Sequence, residues 1–174
     1  MYTNVSPFEY AGAALERMKP GVFLTASADG RSNTMIIGWG GPLMIWNRPM
    51  MVVFIRDIRA TYALVEQSGE FTVSVPLRDG LEEAIKFCGT RSGRDVDKFA
   101  ACHLTAVPGR KVGAPIIGEC DLHYECKVLY KQTLNQNDVP QAIKDRFYTN
   151  PANKANHTVY FADILDCYVD ERIR

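Results

Sequence analysis

The sequence predicts a mainly β fold, an antiparallel barrel with decorating helices, on three observations. Extended segments follow one another through short turns, helical patterns are inserted at only a few places, and no G-x-G-x-x-G follows the first strand. A doubly wound parallel sheet needs a helix after nearly every strand, so that class is set aside. The 174 residues are 47% hydrophobic, enough for one core, and no repeat, low-complexity tract or long linker divides them. A single domain over residues 1–174 is expected.

Each element has a local reason. Ser6, Pro7 and Glu9 supply an N-cap, a first-turn proline and a capping acid for an opening helix that ends near Lys19-Pro20-Gly21. Residues 22–27 and 32–39 pair as a hairpin around Asp29-Gly30. Gly40-Gly41-Pro42 breaks the run, "LMIW" is a short strand, and Asn47-Arg48-Pro49 turns the chain into residues 50–56. The unbroken apolarity of that strand predicts burial on both faces.

Tyr62, Leu64, Val65 and Glu66 have helical spacing with Gly69 as the stop, and residues 71–76 alternate as a strand. Residues 80–89 are helical again, and residues 121–133 and 157–169 are long strands separated by the polar helix "QAIKDRFY".

Composition excludes several partners. Twenty basic and twenty acidic side chains cancel, so no long-range field recruits nucleic acid or an anionic membrane surface. No apolar run approaches the roughly 18 to 20 residues of a membrane span, and the first residues lack a signal-peptide pattern, so a cytoplasmic location is expected. The cysteines are five, an odd number, and never form C-x-x-C; they are read as reduced thiols.

Cysteine and histidine also fall close together in "CDLHYEC". In a strand, Cys120, Leu122, Tyr124 and Cys126 face one side while Asp121, His123, Glu125 and Lys127 face the other. Both thiols and the imidazole therefore cannot share one ion, and buried thiols beside an exposed histidine are expected, with no metal site. No P-loop and no G-x-S-x-G occur, and His103, His123 and His157 have no nucleophile placed by a local motif.

Two basic segments remain. Arg56 and Arg59 lie where a buried strand gives way to a helix, beside Thr61, and first-turn N–H groups favour an anion. Two surface arginines in a loop would read the same way. "FCGTRSGRDVDKF" sets Thr90, Arg91, Ser92, Arg94 and Lys98 around Gly89 and Gly93, which suits a phosphate cradle. Arg94-Asp95 and Asp97-Lys98 as solvated pairs are the alternative.

Taken in order, "SNTMIIGW", "RDIRATYALVEQSGEFTVSVP", "CGTRSGRDVDKF", "APIIGECDLHYECKVLY" and "HTVYFADI" resemble the flavin reductase-like proteins, and within them the flavoredoxin type. The resemblance implies a split β-barrel that binds FMN, as a homodimer with the flavin near the subunit interface. It would set Asn33, Thr34, Met35, Ile36, Gly38 and Trp39 along the isoalloxazine ring, largely through backbone groups. Arg56, Arg59, Thr61 and Tyr62 would hold the phosphate or ribityl chain, with Cys88, Gly89, Ser92, Gly93, Arg94 and Lys98 completing the phosphate side.

By the same resemblance His157 lies near the flavin or an incoming nicotinamide; a strand-start histidine bonded to a carbonyl is the plainer reading. Relatives often carry Gly-Asp before that histidine where this chain has Ala155-Asn156. Tyr62 and Trp39 read equally as ring contacts or as core.

The expected activity is FMN-dependent: NADH or NADPH reduces bound flavin, which passes electrons to free flavin, a metal chelate or a protein. The alternative is a non-catalytic FMN-binding electron carrier. A split barrel for another phosphorylated cofactor such as pyridoxal phosphate ranks third, since no lysine sits in a Schiff-base motif.

Overall fold

The structure, a computed structural model, describes residues 1–149 and 156–173. Its first strand, β1 (Tyr2–Asn4), precedes a turn and then α1 (Ala11–Arg17). The opening helix thus begins later than Ser6-Pro7 suggests. Those residues form a turn, with Glu9 N donating to Ser6 O at 3.0 Å, and Tyr10 is the N-cap of α1, with no side-chain cap bond.

β2 (Val22–Ala28) and β3 (Arg31–Ile37) form the expected hairpin, with Asp29 (φ 49) and Gly30 (φ 73) both left-handed as a type I′ turn requires. A second hairpin joins β4 (Gly40–Ile45) to β5 (Arg48–Arg56) through Trp46 (φ 53) and Asn47 (φ 55). The turn therefore lies one residue earlier than Asn47-Arg48-Pro49. Gly40 begins the strand instead of breaking it: a Cβ there would stand 2.1 Å from Val52 O, so the close approach to β5 admits only glycine.

α2 (Ala60–Ser68) ends at Gly69 as expected, and β6 (Glu70–Val75) follows. α3 (Glu82–Thr90) is also as expected, whereas the short α4 (Lys98–Ala101) was not signalled by periodicity. Asp97 caps α4, its Oδ1 accepting from Phe99 N at 3.0 Å and Ala100 N at 3.2 Å, so this carboxylate is not the solvated partner of Lys98. The two-residue strands β7 (Ala106–Val107) and β8 (Ile116–Ile117) pair with each other. β9 (Leu122–Thr133), α5 (Gln141–Phe147) and β10 (His157–Asp170) complete the chain.

Eight strands make one sheet in the order β3-β2-β6-β9-β10-β5-β4, with β1 added on β10, and every pairing in it is antiparallel. The path does not close: β3 and β4 are its two ends. The larger core fills one face of this sheet, where Tyr124, Tyr160, Phe71, Leu24, Met51 and Ile55 are buried with α1 and α2 alongside. A smaller cluster of Phe23, Ala84, Cys88, Leu104, Ile117 and Cys120 sits under α3. No helix among the described residues is long and apolar enough to cross a membrane.

The expected exposed histidine is instead fully buried. His123 has 0% exposure, its Nδ1 lies 3.0 Å from Ser74 Oγ, and Tyr2 and Tyr168 pack against its ring. The polar face of β9 is covered by the loop before it. Glu125, also buried, accepts from Arg110 N (2.7 Å), Lys111 N (2.6 Å), Val112 N (3.1 Å) and Tyr168 Oη (2.7 Å), which ties that loop down. Cys120 and Cys126 are buried as expected.

Burial pushes the His123 imidazole down to about 4. The unfolded chain then binds a proton that the folded chain does not as pH falls below 6.5, so stability is lost downward from there toward pH 4. The expected loss is up to about 1.4 kcal/mol per pH unit for this one residue. Urea-denaturation midpoints between neutral pH and the onset of carboxylate titration measure it, and His123→Gln should flatten the slope.

Candidate functional site

Two neighbouring cavities form one groove where the sheet fails to close. They share Met35 and Arg59 as a common wall. β3 ends the sheet, so alternate peptide groups on its outer edge have no strand partner. Thr34 turns its carbonyl outward, and the two-residue period directs the N–H and C=O of Ile36 the same way.

The basic half, about 210 Å³, is built from the Asn33–Met35 edge, the start of α2 and the turn between α3 and α4. Arg59 occupies the N-cap of α2 in extended conformation (φ −73, ψ 140), with no side-chain cap and no acidic residue in the first turn. The first-turn N–H groups of Ala60 and Thr61 consequently lack intrahelical partners, and both residues line the groove. Burial, then the neighbouring Arg56 guanidinium, push the Arg59 pKa below its usual value.

The second basic turn is fastened to the first: Arg94 Nη1 donates to Ile58 O at 2.8 Å, and Ser92 Oγ accepts from Arg94 N at 3.2 Å. Arg59 and Arg94, far apart in sequence, thus line one cleft. Among the described residues no carboxylate lies within ion-pair distance of Arg56, Arg59 or Arg94.

Lys98 belongs to the same wall but is already engaged. Its buried Nζ donates to Thr34 O at 2.9 Å and Cys88 O at 2.7 Å, joining β3 to α3. Asn33 Nδ2 donates to Thr61 Oγ1 at 2.7 Å, joining β3 to α2. Gly93 leaves room for that amide: a Cβ at 93 would stand 2.0 Å from Asn33 Oδ1.

The aromatic half, about 170 Å³, lies between the end of β3 and the end of β5. Trp39 packs on His157 at 4.6 Å between centroids and edge-on to Phe147 at 5.2 Å and Phe54 at 6.2 Å. Arg56 lines this half and not the basic one, with Arg59 common to both. Its Nε donates to His157 Nε2 at 3.3 Å and its Nη2 to Phe147 O at 2.9 Å, while Nη1 is buried without a partner among the described residues. Because Nε2 accepts, the ring proton is on Nδ1, 3.0 Å from Tyr148 Oη. Burial, with Arg56 and Arg59 adding to it, pushes His157 down to about 4, so it is neutral at physiological pH.

Other residues singled out in the sequence have side chains engaged elsewhere. Thr34 Oγ1 is buried against Thr25 Oγ1 at 3.0 Å, and the Tyr62 ring packs on Tyr160 at 6.3 Å. Cys88 turns its sulfur toward Cys102, leaving only its carbonyl on the groove side, and Gly89 packs against Ile36. Asn156 accepts from Gln136 Nε2 through its side-chain oxygen and from Asp57 N at 3.2 Å through its carbonyl. Ala155 lies outside the described residues. Arg91 lines the basic half, as its place in the cradle segment suggested, while Phe54, Ile58, Phe147 and Tyr148 complete the walls without having been anticipated. The "DRFY" aromatic pair just ahead of His157 was the one available signal.

Residues 15–174 match the family model described as the flavin reductase like domain. The chain is 35% identical over 107 residues to an uncharacterized protein of Archaeoglobus fulgidus, covering 62% of this chain and 59% of that one. The chain therefore spans less than two thirds of that relative's length. Among solved structures, flavoredoxin of Desulfovibrio vulgaris (Miyazaki F) superposes with a TM-score of 0.68 at 27% identity, covering 88% of this chain and 70% of that one. Flavoredoxin from Methanosarcina acetivorans gives 0.66 at 28%, covering 87% and 69%. The architecture is the open, split-barrel form of these proteins.

Gly93→Ala should expel the Asn33 amide from its bond with Thr61 and lower unfolding free energy by about 1–3 kcal/mol, read from urea titration.

Proposed function

Because the chain belongs to the flavin reductase-like domain family, we propose that it is an FMN-binding oxidoreductase in which NADH or NADPH reduces the bound flavin. Electrons then pass to free flavin, a metal chelate or a protein. The observation that carries this reading is the pairing of Arg59 and Arg94, without carboxylate partners among the described residues, at a helix N-terminus inside one groove.

The groove fits FMN in its chemistry. In this reading Arg59, Arg94, Ser92 and the first-turn N–H groups of α2 hold the phosphate, because a dianion gains charge-assisted hydrogen bonds there and removes the repulsion between neighbouring guanidinium groups. The outward peptide groups of β3 at Ile36 present one donor and one acceptor, which suits the alternating edge of the isoalloxazine ring. Trp39, Phe54 and His157 supply an aromatic wall, and the partnerless Arg56 Nη1 supplies a buried donor.

Bound FMN supplies the electron chemistry itself. The protein's share is binding, orientation and exclusion of water. His157 is neutral, donates from Nδ1 to Tyr148 Oη and accepts at Nε2 from Arg56, so it shapes the wall without adding charge. Any proton moved through Nε2 first requires the long 3.3 Å contact from Arg56 to open. Lys98 braces the phosphate wall through two carbonyls instead of contacting the phosphate as a free charge. The reading includes a homodimer, which would cover the exposed edge of Trp39.

Freshly purified protein should be yellow and should bleach on anaerobic addition of NADH or NADPH. A yellow protein that does not bleach with either would leave flavin binding without the reductase activity. Arg59→Ala combined with Arg94→Ala should weaken FMN binding by about 1.5–3 kcal/mol for each charged hydrogen bond lost. Unchanged affinity in fluorescence-quenching titrations would remove the phosphate assignment. For His157→Ala, slower reduction with flavin retained is expected in stopped-flow traces.

A further inference from the structure

We propose that Cys88 and Cys102 form a hydroperoxide-reactive dithiol, in which Cys102 is oxidised first and Cys88 resolves it to an intramolecular disulfide. The inference stands apart from the flavin reading, since it needs no bound cofactor. Cys88 lies in the last turns of α3 and Cys102 caps the C-terminus of α4, and their sulfurs are 3.9 Å apart. A disulfide needs about 2.05 Å, so the sulfurs must approach by roughly 2 Å in total, a side-chain adjustment.

Access sets the order of events. Cys102 is partly exposed and lines a surface cavity of about 500 Å³ with Glu83, Lys86, Phe87, Arg91 and His103, whereas Cys88 is 1% exposed behind it. A small uncharged oxidant entering the cavity meets only the Cys102 sulfur. Lys86 and Arg91 outnumber the single carboxylate of Glu83 on the cavity wall, so the entrance to Cys102 carries a net positive charge. Burial pushes Cys88 up to about 12, so it keeps its proton at neutral pH and is not the first nucleophile. The remaining cysteines, Cys120, Cys126 and Cys167, are buried and their thiols are likewise pushed up by burial, so oxidation is selective.

The chemistry balances. The Cys102 thiolate attacks one oxygen of the hydroperoxide, the O–O bond breaks, and the leaving alkoxide or hydroxide takes a proton from solvent; Cys102 becomes a sulfenic acid. The Cys88 sulfur then attacks the Cys102 sulfur, the S–O bond breaks, and the Cys88 proton leaves with the hydroxyl as water. Two thiols are oxidised by two electrons and one hydroperoxide is reduced to water and an alcohol, or to two waters for hydrogen peroxide.

The test is mass spectrometry of the full chain treated with hydrogen peroxide, then unfolded in N-ethylmaleimide and digested with trypsin. Arg91, Arg94 and Lys98 separate the two cysteines, so a disulfide appears as two joined peptides. The expected result is a Cys88–Cys102 peptide pair that dithiothreitol separates, with Cys120, Cys126 and Cys167 alkylated. In Cys88→Ser, dimedone should trap sulfenic acid at Cys102; in Cys102→Ser, Cys88 should stay alkylatable. The proposal is overturned if, in the unmutated chain, both thiols stay alkylatable after peroxide, or if dimedone accumulates on Cys102 while Cys88 remains free.

Discussion

Strand β3 ends the sheet with its outer row of peptide groups unpaired, and a single buried ammonium is what that edge is fastened to. An exposed strand edge invites pairing with other chains. Here the Lys98 side chain, buried at 4% exposure, takes the Thr34 carbonyl and ties it to the Cys88 carbonyl of α3. Asn33 ties the neighbouring position to α2 through Thr61. The edge is thereby fastened at Asn33 and Thr34, beside the basic half of the groove, and its outward peptide groups at Ile36 remain open toward the aromatic half. Burying an ammonium is costly unless its protons find acceptors, and two carbonyls at short distance meet that cost.

Around that fixed edge the site is divided by charge. The basic half gathers guanidinium groups and helix N–H donors with no carboxylate among the described residues to neutralise them, an arrangement that costs stability in the free protein and favours an arriving anion. The aromatic half holds one more arginine, but its charge is directed at a neutral imidazole and a carbonyl. One half of the groove is therefore set for a negative tail and the other for a flat, weakly polar body.

Much of the fold was legible in the sequence because local signals carried it. Asp29-Gly30, Gly69 and the alternation of residues 71–76 each encode their own geometry, and the structure follows them. Arg59 and Arg94 line one cleft, and each had a local signal as a basic residue beside a hydroxyl, Thr61 for the first and Ser92 with Gly93 for the second. What escaped depends on contacts remote in sequence. β1 exists only because β10 extends far enough to pair with it; His123 is covered by Tyr2 of β1 and Tyr168 of β10, and Glu125 by the loop that carries Arg110 and Lys111. Trp46 in a left-handed turn carries no local signal at all. Lys98 reads as a surface cation in "DVDKF", and nothing in the neighbouring residues reveals that it turns inward to meet two carbonyls.

The cluster at Glu125 has its own implication for how this chain can drift. One carboxylate on a rigid strand organises the preceding loop by collecting amide protons from Arg110, Lys111 and Val112. What is recognised at the exposed Lys111 is only its main-chain hydrogen, so almost any residue is tolerable there and proline alone is forbidden. Neutral variation can accumulate in that loop while its shape is inherited from a side chain elsewhere.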